Sequence, residues 1–384
     1  MKQNLLNHTL SELQEYLLSV KEQKFRAKQI FESIHGKGVT GIDDIIGIPG
    51  ALKEKLKEDF ILTPLQLDKV SESEQYNTKK FLFELPGVGS SKVTGNLMIE
   101  TVLINEGRRH TICVSTQVGC NVGCEFCATG KMGFLKNLDV SQIVSQVYGV
   151  IRCTGTIPTN LVFMGMGEPF LNYDNMLKSL KVLTSEFGLQ LPSGKITVST
   201  VGFKGKIKKL ADDLMHPDNV SIKNVKLALS LHSTDNGIRE AIIPTSVKNR
   251  LPDLYNELSY FYSKTKNKIT YEYIYFEGLN DTENDVNRLE KLSRMVPSNI
   301  NIIPFHPIDF ELGGPLKRYN NIADSSTKAS KVKSNSLLID KINDFIAQLR
   351  ARDVVVNLRS SSGVDINAAC GQLAVIENRK SSLK

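Results

Sequence analysis

The chain is poor in cysteine, with six residues in 384, far below the density that staples a secreted disulfide scaffold. It has no apolar run near the roughly 18 residues needed to span a bilayer. Its start, MKQNLLNHTLSELQ, has neither an apolar core segment nor a small-residue cleavage site. A cytoplasmic protein with no membrane attachment is therefore expected. No internal repeat is present. The first 95 residues have no charge excess, with 13 Lys/Arg against 13 Asp/Glu, so the whole +7 lies beyond them. From Leu316 onward 12 basic residues face 6 acidic ones, a balance compatible with nucleic acid and equally with a solvated surface. What is present, 41% hydrophobic and 23% charged residues, suffices for a sizeable core. The length suggests two domains or one large α/β domain with additions.

The first 60 residues read as short helices. Thr9 and Glu12 can form a capping box ahead of Leu10, Leu13, Leu17 and Val20. A second helix buries Ala27, Ile30, Phe31 and Ile34 and stops at Gly36, and a third starts near Pro49. From Lys79 the period becomes two, and the segments around Phe81–Leu85 and Leu97–Ile104 read as a hairpin joined by PGVGSSKVTG. Strands then alternate with helices. The strands are His110–Ser115, Leu161–Met164, Ile196–Thr200, Val225–Leu231, Ile269–Tyr275, Ile300–Pro304 and a last Val354–Leu358. Such alternation predicts an α/β fold around a parallel sheet, with functional loops at the C-terminal strand ends. The polar stretch 323–336 reads as a mobile loop.

Four of the six cysteines fall within fifteen residues, at 113, 120, 124 and 127. Cys120, Cys124 and Cys127, in CNVGCEFC, follow a strand directly. Three thiolates on one loop can hold three irons of a 4Fe-4S cluster and leave the fourth open. A structural zinc site needs four ligands, and no second CxxC pair or HxxxH completes one. Cys370, in DINAACGQL, and Cys113 are, on their own, either small buried hydrophobes or reactive thiols. Cys153 has no matching motif.

The CxxxCxxC spacing with Phe126 before the last cysteine resembles the radical S-adenosylmethionine (SAM) enzymes. STQVGCNVGCEFCATGKMGFLKNL, FMGMGEP, ALSLHS and DINAACGQL are together similar to the RlmN group of RNA adenine methyltransferases, over almost the whole chain. The resemblance implies a partial (β/α)6 radical SAM barrel with a small N-terminal helical domain and a β-hairpin extension. The expected boundaries are 1–75 for a helical RNA-docking domain and 76–105 for the hairpin. The barrel would span 106–360, and 361–384 would hold a catalytic loop and basic tail.

By resemblance, SAM chelates the open iron and one electron cleaves it to a deoxyadenosyl radical. Cys370 accepts a methyl group from a first SAM, and the radical from a second activates it for addition to the adenine ring. Cys113, seven residues before Cys120, would then resolve the covalent adduct through a transient disulfide with Cys370. Glu100 matches the proton acceptor, although a strand residue flanked by Ile99 and Thr101 can also face outward. The SAM contacts implied are Gly167, Glu168, Ser199, Ser230, Leu231 and His232, with Gly165 allowing close backbone approach. His306 stands where the family usually carries Asn, and imidazole can keep the hydrogen bond.

The reading is thus a methyltransferase acting on carbon 2 of one adenosine in 23S rRNA and of the adenosine 3′ of the anticodon in tRNAs. It would draw electrons from a flavodoxin or ferredoxin. Pro169 favours carbon 2 over the sister, Cfr-type family, which modifies carbon 8 and carries Ala there. Two other classes remain open: an RNA-binding iron–sulfur protein without turnover, and a radical SAM enzyme acting on a small molecule.

Overall fold

Strands that recur between helices pair in parallel by crossing over, and here they join an antiparallel meander in one ten-stranded sheet. A computed structural model describes residues 2–85, 96–324, 328–359 and 362–375. The strands are β1 Gln66–Glu72, β2 Thr78–Leu85, β3 Leu97–Glu106, β4 Arg109–Cys113 and β5 Asn160–Phe163. They continue as β6 Ile196–Thr200, β7 Lys226–Ser230, β8 Ile269–Tyr275, β9 Ser298–Pro304 and β10 Val356–Leu358. Each lies beside its neighbour in sequence. The strands β1 to β4 run antiparallel, and β4 to β10 run parallel. A parallel sheet wound in one direction curls toward a barrel with its helices outside. Among the described residues β1 and β10 do not pair, so the barrel stays open.

The N-terminal helices are α1 Leu10–Ser19, α2 Arg26–Phe31 and α3 Gly50–Asp59. The Thr9–Glu12 capping box forms as the spacing predicts. The crossover helices are α4 Val140–Thr154, α5 Tyr173–Thr184, α6 Lys206–Leu214, α7 Asn236–Ile242, α8 Leu251–Thr265, α9 Glu283–Met295 and α10 Lys328–Arg350. Helix α4 is buried continuously from Val140 to Val150, because the sheet covers one side and the N-terminal module the other. At that junction His35 Nδ1 and Tyr148 Oη lie 2.7 Å apart, and the Ser141 N–H donates to Asn7 Oδ1 at 2.6 Å. A Cβ on Gly149 would stand 2.6 Å from the Phe83 ring, so the hairpin closes on the same helix. No helix among the described residues is long and apolar enough to cross a membrane.

Some sequence expectations shift. The first 75 residues are not all helical, because β1 adds a third strand to the hairpin. Most of its side chains are exposed, so it carries no apolar alternation to read. Helix α7 went unpredicted. Most of the stretch expected as a mobile loop, from Lys328 on, is helical backbone. The turn at 86–95 and the basic tail from 376 lie outside the described residues.

Candidate active site

The loop after β4 first turns through a short strand, Gln117–Gly119, paired with Phe134–Asn137. Gly119 has φ 70°, and a Cβ there would lie 1.8 Å from the Gly133 carbonyl oxygen, so this closure admits only glycine. Beyond it Cys120 and Cys124 are buried and Cys127 is partly so. The Cys127 N–H donates to the Cys124 carbonyl at 3.2 Å, and Cys127 opens a short helix, Ala128–Lys131. Phe126 packs edge-on against His232 with ring centroids 4.7 Å apart, which pins the loop to the far strand ends. All three thiols line one chamber. Burial and mutual repulsion push them up, Cys120 to about 12 and Cys124 well above the ordinary thiol value. Such a set becomes thiolate only when a cation enters. Among the described residues no three His, Cys, Asp or Glu side chains close tightly enough around one metal ion. A 4Fe-4S cube asks for a wider spread, since each thiolate binds its own iron, and the convergence of the thiols suits it.

The strand ends supply the rest of this chamber, which holds about 140 Å³. After β5 the chain must pass against the segment entering the cysteine loop. A Cβ on Gly165 would lie 2.7 Å from the Val114 carbonyl oxygen, and one on Gly167 2.5 Å from the Gln117 Cβ. The glycines thus serve the close approach of two chain segments. Glu168 is buried, its oxygens accepting from the Phe170 N–H and the Val201 N–H at 3.0 Å each. Burial pushes its carboxyl up to about 7 against those donors and the Thr200 hydroxyl, so a cationic ligand group would be welcome beside it. Ser199 Oγ and Ser230 Oγ meet at 3.3 Å. His232 has left-handed backbone, φ 54°, and its Nδ1 accepts from the Ile274 N–H at 3.1 Å. Burial, helped by Arg239, lowers it to about 3, so it stays neutral with Nε2 as the donor.

On the other side of Cys370 lies a larger cavity of about 560 Å³, lined by Cys113, Asn301, Asn357 and Arg359. Cys370 and Gly371 line both spaces. The segment carrying Cys370 is tied down from several directions. The Ala128 N–H donates to the Gly371 carbonyl at 2.7 Å, and the Thr129 hydroxyl to that of Leu373 at 2.6 Å. Asp365 accepts from the Ser73 hydroxyl at 2.7 Å and the Glu74 N–H at 3.0 Å. Cys113 is buried on β4 and pushed up to about 12, mainly by burial. All six cysteines are free thiols.

The predicted residues do not all converge. Glu100 is buried, but it lines a separate groove, where Lys80 Nζ lies 2.8 Å from Oε1 and the Ala374 N–H donates to Oε2 at 2.8 Å. Leu231 is fully buried in the apolar core and meets neither cavity with its side chain. His306 lies just past β9, lowered to about 4 by burial, and lines neither cavity.

Sequence reasoning missed two features. Buried Arg239 donates to the Val201, Ser230 and Leu231 carbonyls at 2.6, 3.2 and 3.1 Å, stitching the ends of β6 and β7 beneath the chamber. Glu272, Asn301 and Asn357 pair in register on β8, β9 and β10 and form a polar row across the three strands. The only signal for the row was the polar residue interrupting each apolar run.

Comparison with known proteins places this geometry. Residues 3–62 match the ribosomal RNA large subunit methyltransferase N-terminal domain, and residues 114–289 the radical SAM superfamily. A probable dual-specificity RNA methyltransferase RlmN from Salinibacter ruber is 38% identical over 363 residues, covering 91% of this chain and 88% of its own. The similarly described protein of Clostridium novyi is 37% identical over 370 residues, covering 96% and 97%. The crystal structure of a radical SAM methyltransferase from Sphaerobacter thermophilus has a TM-score of 0.80 at 34% identity, covering 97% of this chain and 99% of that one.

Proposed function

The chain belongs to the RlmN family of SAM-dependent radical RNA methyltransferases, and from that premise we propose that it methylates carbon 2 of an adenosine in 23S rRNA and of the adenosine 3′ of the anticodon in tRNAs. The observation that carries this reading is Cys370 lining two cavities, one holding the three loop thiols and the other Cys113, with Cys127 also on both. A methyl acceptor must meet the donor on one side and the target base on the other, and an adenine has to leave its stack to enter such a site.

Cys120, Cys124 and Cys127 would hold the 4Fe-4S cluster, which when bound with SAM supplies one-electron cleavage and hydrogen abstraction. Glu168 offers its carboxylate to the SAM ammonium group. Ser199, Ser230 and His232 Nε2 offer hydrogen bonds to its ribose and carboxylate oxygens. Cys370 takes the methyl group as a thioether. Cys113 then releases the product by displacing the tethering sulfur as a disulfide, which an external reductant reopens. Glu100 is the carboxylate assigned to the proton leaving carbon 2. To serve it must exchange its bond to the Ala374 N–H for the substrate, which requires the Cys370 segment to shift. His306 and the Leu231 backbone are the remaining SAM contacts of this reading. A flavodoxin or ferredoxin of the cytoplasm would supply the electron.

The test is nucleoside mass spectrometry of rRNA and tRNA, incubated separately with anaerobically reconstituted protein and SAM. The expected product is 2-methyladenosine in both RNAs, absent with Cys370→Ala. Appearance of 8-methyladenosine, or deoxyadenosine without any methylated RNA, would overturn the assignment.

A further inference from the structure

The polar row on β8, β9 and β10 is the feature that the reaction as read above leaves unused. Glu272 is buried, Asn301 half-buried and Asn357 exposed. The three share one face of the sheet, because partners in parallel register stand side by side. Glu272 lines the chamber of the loop thiols, whereas Asn301 and Asn357 line the larger cavity with Cys113 and Cys370. The row thus runs from the cofactor end into the space left for the substrate.

The order of donors and acceptors along it is fixed from the buried end. Glu272 Oε1 stands 3.6 Å from Arg359 Nη1 and accepts from Asn301 Nδ2 at 2.9 Å. An oxygen facing a guanidinium offers only lone pairs, so the Asn301 amide must turn its nitrogen toward it. Asn301 Oδ1 is then left toward β10, where Asn357 Nδ2 stands 3.5 Å away. The second amide is set in turn, and Asn357 presents its carbonyl oxygen to the cavity. A buried carboxylate on one strand therefore dictates an acceptor two strands away. Val102, Ile104 and Val162, from β3 and β5, give the same cavity an apolar wall. An apolar wall with a polar edge suits a flat heterocycle.

We propose that Asn357, oriented by Asn301 and Glu272, selects the target base by accepting a hydrogen bond from the 6-amino group of adenine. The second Nδ2 hydrogen is free to donate to ring nitrogen 7, which completes the two-point pairing of asparagine with adenine. A base with a carbonyl at position 6 would set oxygen against oxygen. The amide cannot turn to meet it without breaking the relay to Glu272. Contact at the 6-amino group and ring nitrogen 7 leaves carbon 2 on the far side of the ring, open to Cys370, and covers the side that bears carbon 8. The inference rests on the carbon-2 adenosine reading and adds the residue that sets its base selectivity.

The test gives reconstituted holoenzyme a synthetic tRNA anticodon stem-loop with adenosine or purine ribonucleoside at the target position. The second lacks only the 6-amino group. Methylation kcat/KM is measured on both RNAs for wild type, Asn357→Val and Asn301→Leu, so that each variant and the amino group form a cycle. Wild type is expected to prefer adenosine about tenfold or more. Asn357→Val should lose that preference through a fall on adenosine alone, with the purine value within about twofold of wild type. Asn301→Leu, which cuts the relay and leaves Asn357 in place, should lose part of it. A wild type indifferent to the amino group overturns the proposal, as does a preference that survives in Asn357→Val. So does an equal fall on both RNAs, which a merely structural role would give, and full preference in Asn301→Leu overturns the relay. If wild type methylates neither stem-loop nor rRNA at carbon 2, the earlier reading fails and this inference falls with it.

Discussion

The cysteine loop and the Cys370 segment meet in one chamber, yet they arrive there by different means. Cys120, Cys124 and Cys127 are brought together by local turns. A left-handed glycine closes a short hairpin, and a carbonyl three residues back receives the Cys127 N–H. Cys370 is held by partners 244 to 292 residues away: Thr129 for Leu373, Glu100 for Ala374 and Ser73 for Asp365. The contrast teaches that the cofactor end of the site is a local property of the chain. The acceptor end exists only once the sheet has closed. The two ends should therefore fail separately.

The sharpest break is at the local end. Replacing any one of Cys120, Cys124 or Cys127 with Ala is expected to abolish bound iron and deoxyadenosine formation entirely, measured by iron assay and chromatography, while the fold persists by circular dichroism. Next comes the stitch beneath the chamber. Arg239→Met leaves the Val201, Ser230 and Leu231 carbonyls without their donor. At about 1–3 kcal/mol for each buried group left unpaired, a loss of roughly 3 kcal/mol or more should appear in denaturant unfolding.

The distant end gives a smaller and more selective effect. Asp365→Ala removes two hydrogen bonds that anchor the Cys370 segment, so RNA methylation should fall by about tenfold, corresponding to about 1.4 kcal/mol, with iron content unchanged. Equal loss of iron would erase the distinction drawn above. The mildest test is remote from both ends. Tyr148→Phe leaves His35 Nδ1 buried without its partner, and His35 Nε2 already lacks one. It should cost about 1 kcal/mol in thermal unfolding without touching methyl acceptance.

The same contrast explains what could be read in advance. The parallel strands were legible because each is a bounded apolar run, and the Thr9–Glu12 cap because it is a three-residue pattern. Strand β1 was not, since an exposed edge strand carries no alternation. The chemistry of Glu168 was legible as a carboxylate at a strand end. The burial that pushes it up to about 7, against the Val201 and Phe170 N–H donors, was not, because it depends on distant segments closing around the strand end. Glu100 illustrates the limit. Its motif points to a base, and the fold engages that carboxylate with Lys80 and the Ala374 N–H.

The sequence alone determined the cysteine spacing, the order of the parallel strands and most of their helices, and the family, because each is written within short stretches of chain. Tertiary structure decided that Cys370 lines two cavities and shares the larger one with Cys113. It also decided that Glu272, Asn301 and Asn357 align across three strands. These depend on register and closure, where residues far apart in the chain are fixed by backbone hydrogen bonds and close packing rather than by any local pattern.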